Sequence, residues 1–178
     1  MSLTLNRIDP QGSDREALIE FFTSNDFPFH VRSGPWTRVQ VEDHIEAGDY
    51  CSDDTAAYWL DDDVMGKVGF LRFEDLHDDT AMFDLRLGRE LRGRGLGVES
   101  LRAAADLLFA TTAASRFEGQ TRDDNAAMRA VFERAGWTKE AHYRRAWPTA
   151  DGHARDTVAY AILREEWEHG TAVGFLGI

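Results

Sequence analysis

At 178 residues, with 43% hydrophobic and 11% aromatic content, the chain has the length and composition of one ordinary globular domain rather than a disordered segment. Its net charge of −12, from 32 acidic and 20 basic residues, repels phosphate backbones, and no basic stripe reverses this locally, so nucleic acid is excluded as a partner. No stretch reaches the roughly 18 apolar residues of a membrane span, the first residues lack the pattern of a signal peptide, and the lone Cys51 has no intrachain disulfide partner, so the expectation is a cytoplasmic protein away from membranes.

No repeat or Pro/Gly-rich linker divides the chain, and a single domain over 1–178 is expected. Leu3-Thr4-Leu5-Asn6-Arg7-Ile8 alternates apolar and polar residues, as a half-buried strand does. After the break at Asp9-Pro10-Gln11-Gly12, Ser13 and Glu16 read as a capping box for a helix through Phe22. Residues 23–36 read as loop, and a second helix is expected over 37–47. Strands come next over 55–60, 64–73 and 81–87, with turns at Asp61-Asp62-Asp63 and over 74–80. The apolar stripe Val98, Leu101, Ala105 and Leu108 predicts a helix over 98–111. A short strand over 116–121, a helix over 125–135 stopped by Gly136, and an antiparallel pair over 137–147 and 155–163 complete the pattern. Strands that dominate first and then alternate with helices predict an α+β fold with a mixed sheet.

The segment richest in chemistry is Leu85-Arg86-Leu87-Gly88-Arg89-Glu90-Leu91-Arg92-Gly93-Arg94-Gly95-Leu96-Gly97-Val98, where a strand enters a glycine-rich turn that opens a helix. Glycines permit tight turns and close backbone approach, and successive N–H groups at a helix N-terminus favour an anion, so diphosphate binding is the chemistry that fits. Arg92 and Arg94 add positive charge. A phosphate-binding loop of the Gly-x-x-x-x-Gly-Lys-Ser/Thr type is ruled out, because neither the Lys nor the hydroxyl residue comes after Gly97. The spacing Gly93-x-Gly95-x-Gly97 is also wrong for a dinucleotide fingerprint.

Arg92, Gly95 and Gly97 fill the Arg/Gln-x-x-Gly-x-Gly/Ala pattern that resembles the pyrophosphate loop of the GNAT N-acetyltransferase superfamily. Downstream, Asn125 through Trp137 resembles the second GNAT signature, and 151–167 is similar to the terminus of the ribosomal-protein-acetyltransferase-like branch. The resemblance implies a mostly antiparallel central sheet splayed between strands 81–87 and 116–121. It also implies acetyl-CoA as cosubstrate without a metal, a primary amine of a small molecule, peptide or protein N-terminus as acceptor, and leaves a homodimer open. By the same resemblance Leu85, Leu87, Arg92, Gly93, Arg94, Gly95, Gly97, Asn125 and Phe132 are the expected cofactor-binding residues, with Asn125 bonding the pantetheine arm.

The sequence departs from the family at the catalytic positions. Phe132 stands where a Tyr usually protonates the leaving thiolate, Met128 where the ribosomal-protein branch has a nearby Ser, and Gln120 where a Glu base is usual. Asp84, near where aminoglycoside 6′-acetyltransferases place an acidic residue, is the expected base, its basicity raised by burial. Its other reading is a solvated strand carboxylate or a partner for Arg86. Glu118 and Asp156 are weaker candidates, Tyr143 is an alternative acid, and His30, His44, His142 and His153 read as surface or loop residues. Phe27, Phe29, Trp36, Trp147 and Tyr160 read as core, with one or two lining the acceptor pocket. Two functions remain open: an acetyltransferase, or an acetyl-CoA-binding module without turnover.

Overall fold

The computed structural model describes residues 3–149 and 151–170; the expected domain limits, 1 and 178, lie outside them. In chain order the elements are strand β1 (Leu3–Arg7), helices α1 (Arg15–Ser24) and α2 (Arg38–Glu46), and strands β2 (Ala56–Asp62), β3 (Gly66–Glu74) and β4 (Thr80–Leu87). A short 3-10 turn (Arg89–Leu91) leads to α3 (Leu96–Thr111), β5 (Arg116–Arg122), α4 (Ala126–Ala135), β6 (Thr138–Pro148), β7 (Ala154–Leu163) and α5 (Arg164–His169).

Seven strands form one sheet in the order β1-β2-β3-β4-β5-β7-β6. Every pairing is antiparallel except that of β4 with β5. That parallel contact is confined to Thr80↔Arg116 and Ala81↔Phe117. Beyond it β4 continues to Leu87 and β5 to Arg122 without pairing to each other, so the sheet opens into a gap, as the resemblance implied.

The two faces of the sheet bury separate cores. One gathers Leu18, Ile19 and Phe22 of α1, Val41 and Ile45 of α2, and Ala57, Trp59 and Phe70 of the strands. The other packs Leu101, Ala104, Ala105 and Leu108 of α3 with Phe132 of α4 against Leu71, Phe73, Phe117 and Tyr160. Three of the four stripe residues read from α3 are thus core; the fourth, Val98, is half-buried.

Helix ends account for the main differences from the expected elements. The Ser13–Glu16 capping box does not form: α1 starts after Asp14, which makes no side-chain cap. The Asp14 carboxylate is occupied elsewhere, accepting from the Asp9 N–H and from the Trp59 indole, each at 2.9 Å. A capping box is found instead on α2, where Thr37 accepts from the Gln40 N–H at 3.3 Å and Gln40 Oε1 accepts from the Thr37 N–H at 3.0 Å. Arg164, at the start of the unforeseen α5, donates to the carbonyls of Phe109, Thr112 and Ala114 at 2.8–2.9 Å and so satisfies the C-terminal end of α3.

Candidate active site

The gap between β4 and β5 is where two cavities meet. One, of about 370 Å³, runs from the gap to the start of α3. The other, of about 510 Å³, opens on the opposite side, towards β3 and the loop after α1. Phe29, His30, Leu85, Arg86, Asn125 and Met128 line both, and they mark the junction.

The first cavity is built largely from main chain. The β3–β4 register is unbroken through Gly69↔Leu87, and the Gly88 N–H donates to the Val68 carbonyl at 3.0 Å. The alternation of an antiparallel ladder then turns the main-chain groups of Leu85 and Leu87 away from β3 and into the gap. At the far end Gly93 and Gly95 take φ of +76° and +88°, a region that L side chains rarely adopt. A Cβ on either would meet no atom within 4 Å, so conformation, not crowding, is what requires glycine there. Gly97 differs: its Cβ would lie 2.8 Å from Val131 Cγ2, so it is small to let α3 pack on α4. The N–H groups of Gly93, Arg94 and Gly95 donate to no described residue, and the first turn of α3 adds its own unpaired donors. Together these groups make a cradle suited to a diphosphate.

Of the expected cofactor-binding residues, Leu85, Leu87, Arg92, Gly93, Gly95, Gly97 and Asn125 line this cavity; Arg94 and Phe132 do not. Arg92 is tied down, donating through Nε to the Leu87 carbonyl at 3.1 Å and through its other nitrogens to Asp26. It shapes the loop more than it offers free charge. Arg94 is exposed, and Phe132 is fully buried with its ring stacked on Tyr160 at 4.7 Å. Asn125 caps α4, accepting from the Met128 N–H at 3.2 Å and donating to Thr121 Oγ1 at 2.9 Å. Arg134, in the last turn of α4, also lines the cavity and adds a cation that no motif flagged.

The second cavity is built from side chains. Asp84 lies in it, where Arg86 Nε donates to both carboxylate oxygens at 3.1 and 2.9 Å and Nη2 donates to Oδ2 at 2.8 Å. His30 Nε2 stands 3.1 Å from Oδ1. Burial disfavours the Asp84 carboxylate, but Arg86 and His30 outweigh it and hold its pKa well below the usual carboxylate range. The expected rise in basicity is therefore reversed, because the partners of the buried charge prevail over its desolvation. The alternative reading, a partner for Arg86, describes its main contact.

His30 reaches this position because the loop after α1 folds over the gap. Asn25 Oδ1 accepts from the Arg89 N–H at 2.7 Å, Asp26 accepts from Arg89 Nε at 3.0 Å, and buried Phe27 has the Arg86 and Arg92 guanidinium carbons 4.7 and 5.6 Å from its ring centre. By sequence these residues are plain loop, and the one signal for them is the interleaving of aromatics with Pro and Gly. Phe29, Trp36 and Trp147 line the second cavity, whereas Tyr160 is core. Gln120 lines it too. Glu118 is engaged by Arg116 and Gln120 at 2.9 and 3.0 Å, and Asp156 by His142 at 2.7 Å and the Arg145 N–H at 2.8 Å; neither lines a cavity at the junction, nor does Tyr143.

Comparison with known proteins agrees with this architecture. Residues 2–138 match the family model described as an acetyltransferase (GNAT) domain. Among solved structures, spermidine N-acetyltransferase from Vibrio cholerae in complex with CoA and spermine superposes with a TM-score of 0.79 at 15% identity, over 93% of this chain and 98% of that one. The dodecameric structure of spermidine N-acetyltransferase from the same organism, in an intermediate state, gives 0.75 at 14% identity, over 96% and 98%. At such identity the likeness concerns the fold.

Proposed function

The chain belongs to the GNAT acetyltransferase family, and from that premise we propose that it transfers an acetyl group from acetyl-CoA to a primary amine of a small molecule or peptide. The observation that carries the reading is the junction of the two cavities in the open part of the sheet. The cradle at Gly93–Gly97 holds the diphosphate, the main chain of Leu85 and Leu87 holds the pantetheine arm, and the thioester is delivered to the junction. There a main-chain N–H of β4 polarises the thioester carbonyl, and the amine arrives from the second cavity for direct attack. CoA bound to a solved relative supports the first half of this reading, and spermine bound to the same relative supports an amine acceptor.

The acceptor differs from a polyamine in the charge it must meet. Glu74 and Asp84, the carboxylates of the second cavity, are already held by Arg72 and Arg86, and Arg32 adds a further cation. A single ammonium suits such a lining better than a polycation. The segment 151–167 favours the ribosomal-protein-acetyltransferase-like branch, which extends the acceptor to a peptide N-terminus. In this reading residues 1–178 act as one domain, cytoplasmic and self-associating; no helix among the described residues is long and apolar enough to cross a membrane. The test is thiol release from acetyl-CoA across monoamines, peptides and spermidine. Turnover with monoamines or peptides exceeding that with spermidine is expected; CoA binding without thiol release from any amine would leave a binding module instead.

A further inference from the structure

We infer that His30 is the general base of this transfer and that Asp84 acts through it, as the group that fixes its tautomer. The inference rests on the acetyl-transfer reading above. His30 is the titratable side chain shared by the two cavities that is not permanently charged, since the other charged residue at the junction is Arg86. Its Nε2 lies 3.1 Å from Asp84 Oδ1. A carboxylate accepts and cannot donate, so the bond requires the hydrogen on Nε2, and a neutral imidazole then carries its lone pair on Nδ1. Nδ1 meets no hydrogen-bond partner among the described residues. The His30 side chain lines both cavities, and a shift of the ring that uncovers this buried nitrogen as the amine enters gives its unused lone pair to the ammonium, with the Asp84 carboxylate behind the ring. This is the division of labour between a histidine and its orienting carboxylate in other acyl-transfer sites.

Asp84 itself is poorly placed to take the proton. Arg86 occupies both its oxygens, and Gln120, at the usual position of the base, is not ionisable. The step balances in atoms and charge. Nδ1 takes one proton from R–NH3⁺, leaving R–NH2, whose lone pair attacks the thioester carbonyl carbon. The C–N bond forms, the C–S bond breaks, and the electron pair leaves on sulfur. The nitrogen sheds a second proton, which ends on the thiolate as CoA–SH. His30 returns the first proton to solvent, so the sum is one amide, one thiol and one H⁺.

The experiment compares wild type with His30→Gln and His30→Ala in acetyl-CoA thiol release over pH, together with the 15N spectrum of the imidazole. The charged and titratable groups that share a cavity with His30 are Asp84 and Arg86 on β4, Arg72 and Glu74 on β3, Arg32 in its own loop, His44 on α2, Arg92 in the glycine-rich loop and Arg134 on α4. His44 is engaged by Asp49, and His44→Gln serves as the control for the other imidazole. The expected results are a fall in kcat of about 100-fold or more in both His30 variants with the KM for acetyl-CoA little changed, loss of the acidic limb of the wild-type pH profile, and partial rescue of His30→Ala by added imidazole. The spectrum should show a protonated Nε2 and a bare Nδ1 in the wild type, a readout independent of turnover. An intact acidic limb in folded His30→Gln, or a proton on Nδ1 in the neutral wild-type ring, overturns the inference while leaving acetyl transfer in place. No thiol release by the wild type would remove the reading and the inference together.

Discussion

The two cavities that meet between β4 and β5 are made in opposite ways. The one leading to α3 is shaped by main chain, and most of its polar groups come from the contiguous run 85–97. The one leading to β3 is shaped by side chains from the loop after α1 and from α2, β3, β4, β5, α4 and β6. A backbone cradle tolerates change in its side chains but not in its φ angles. A cavity of paired side chains tolerates neither removal of a charge nor loss of the loop that carries its partner. Substitutions on the two sides should therefore fail differently, the first in binding or helix packing, the second in folding and chemistry.

The largest effect is expected at Asp84. Asp84→Asn keeps the shape but leaves Arg86 uncompensated in a buried position (its side chain is 9% exposed), and breaking such a pair costs about 3–5 kcal/mol. Because the folded-state pKa of Asp84 is depressed, its stabilising contribution is present above the unfolded carboxylate pKa of ~3.9 and is lost as pH falls through the folded value. Urea unfolding at neutral pH should separate wild type and variant widely, and the two should converge in acid. Equal midpoints at neutral pH would mean that the Asp84–Arg86 pair does not hold this side together.

A smaller effect is expected on the other side, at Gly97→Val. The first added carbon would lie 2.8 Å from Val131 Cγ2, so α3 and α4 must separate, at a cost of about 1–3 kcal/mol. At this chain length that lowers Tm by roughly 2–4 °C per kcal/mol, and Val131→Ala should restore part of it. A wild-type Tm in Gly97→Val would show that the glycine serves only the cradle and not the packing.

The same contrast decides what is legible in the sequence. Gly93 and Gly95 are legible because their constraint is local, a positive φ in a turn, whereas Gly97 is legible as part of the motif but its packing against Val131 of another helix is not. The splay is legible only through the family resemblance, which is carried by the segments that follow its strands, the glycine-rich loop after β4 and the helix start at Asn125 after β5. The His30–Asp84 contact joins positions 54 residues apart, and nothing in either segment announces it. The sign of the Asp84 shift fails for a related reason: burial can be guessed from a strand pattern, but the guanidinium and imidazole that overcome it come from the fold. The motif makes Arg92 an expected cofactor-binding residue that adds positive charge, yet its fork is spent on Leu87 and Asp26. Ser13 does not cap α1, which starts after Asp14, and the Asp14 carboxylate is held by the Trp59 indole and the Asp9 N–H instead.

The measurement that bears most directly on the account is calorimetric titration of CoA into the wild-type protein and Gly95→Val. A β-branched residue cannot hold the φ of +88° found at Gly95 without strain of about 1–2 kcal/mol, and the space around that position is open, so the fold has no other reason to fail. The account predicts that the wild type binds CoA and that Gly95→Val, folded as judged by circular dichroism, binds it about tenfold more weakly or worse. Equal affinities, or a wild-type protein that takes up no CoA at millimolar concentration, would contradict it.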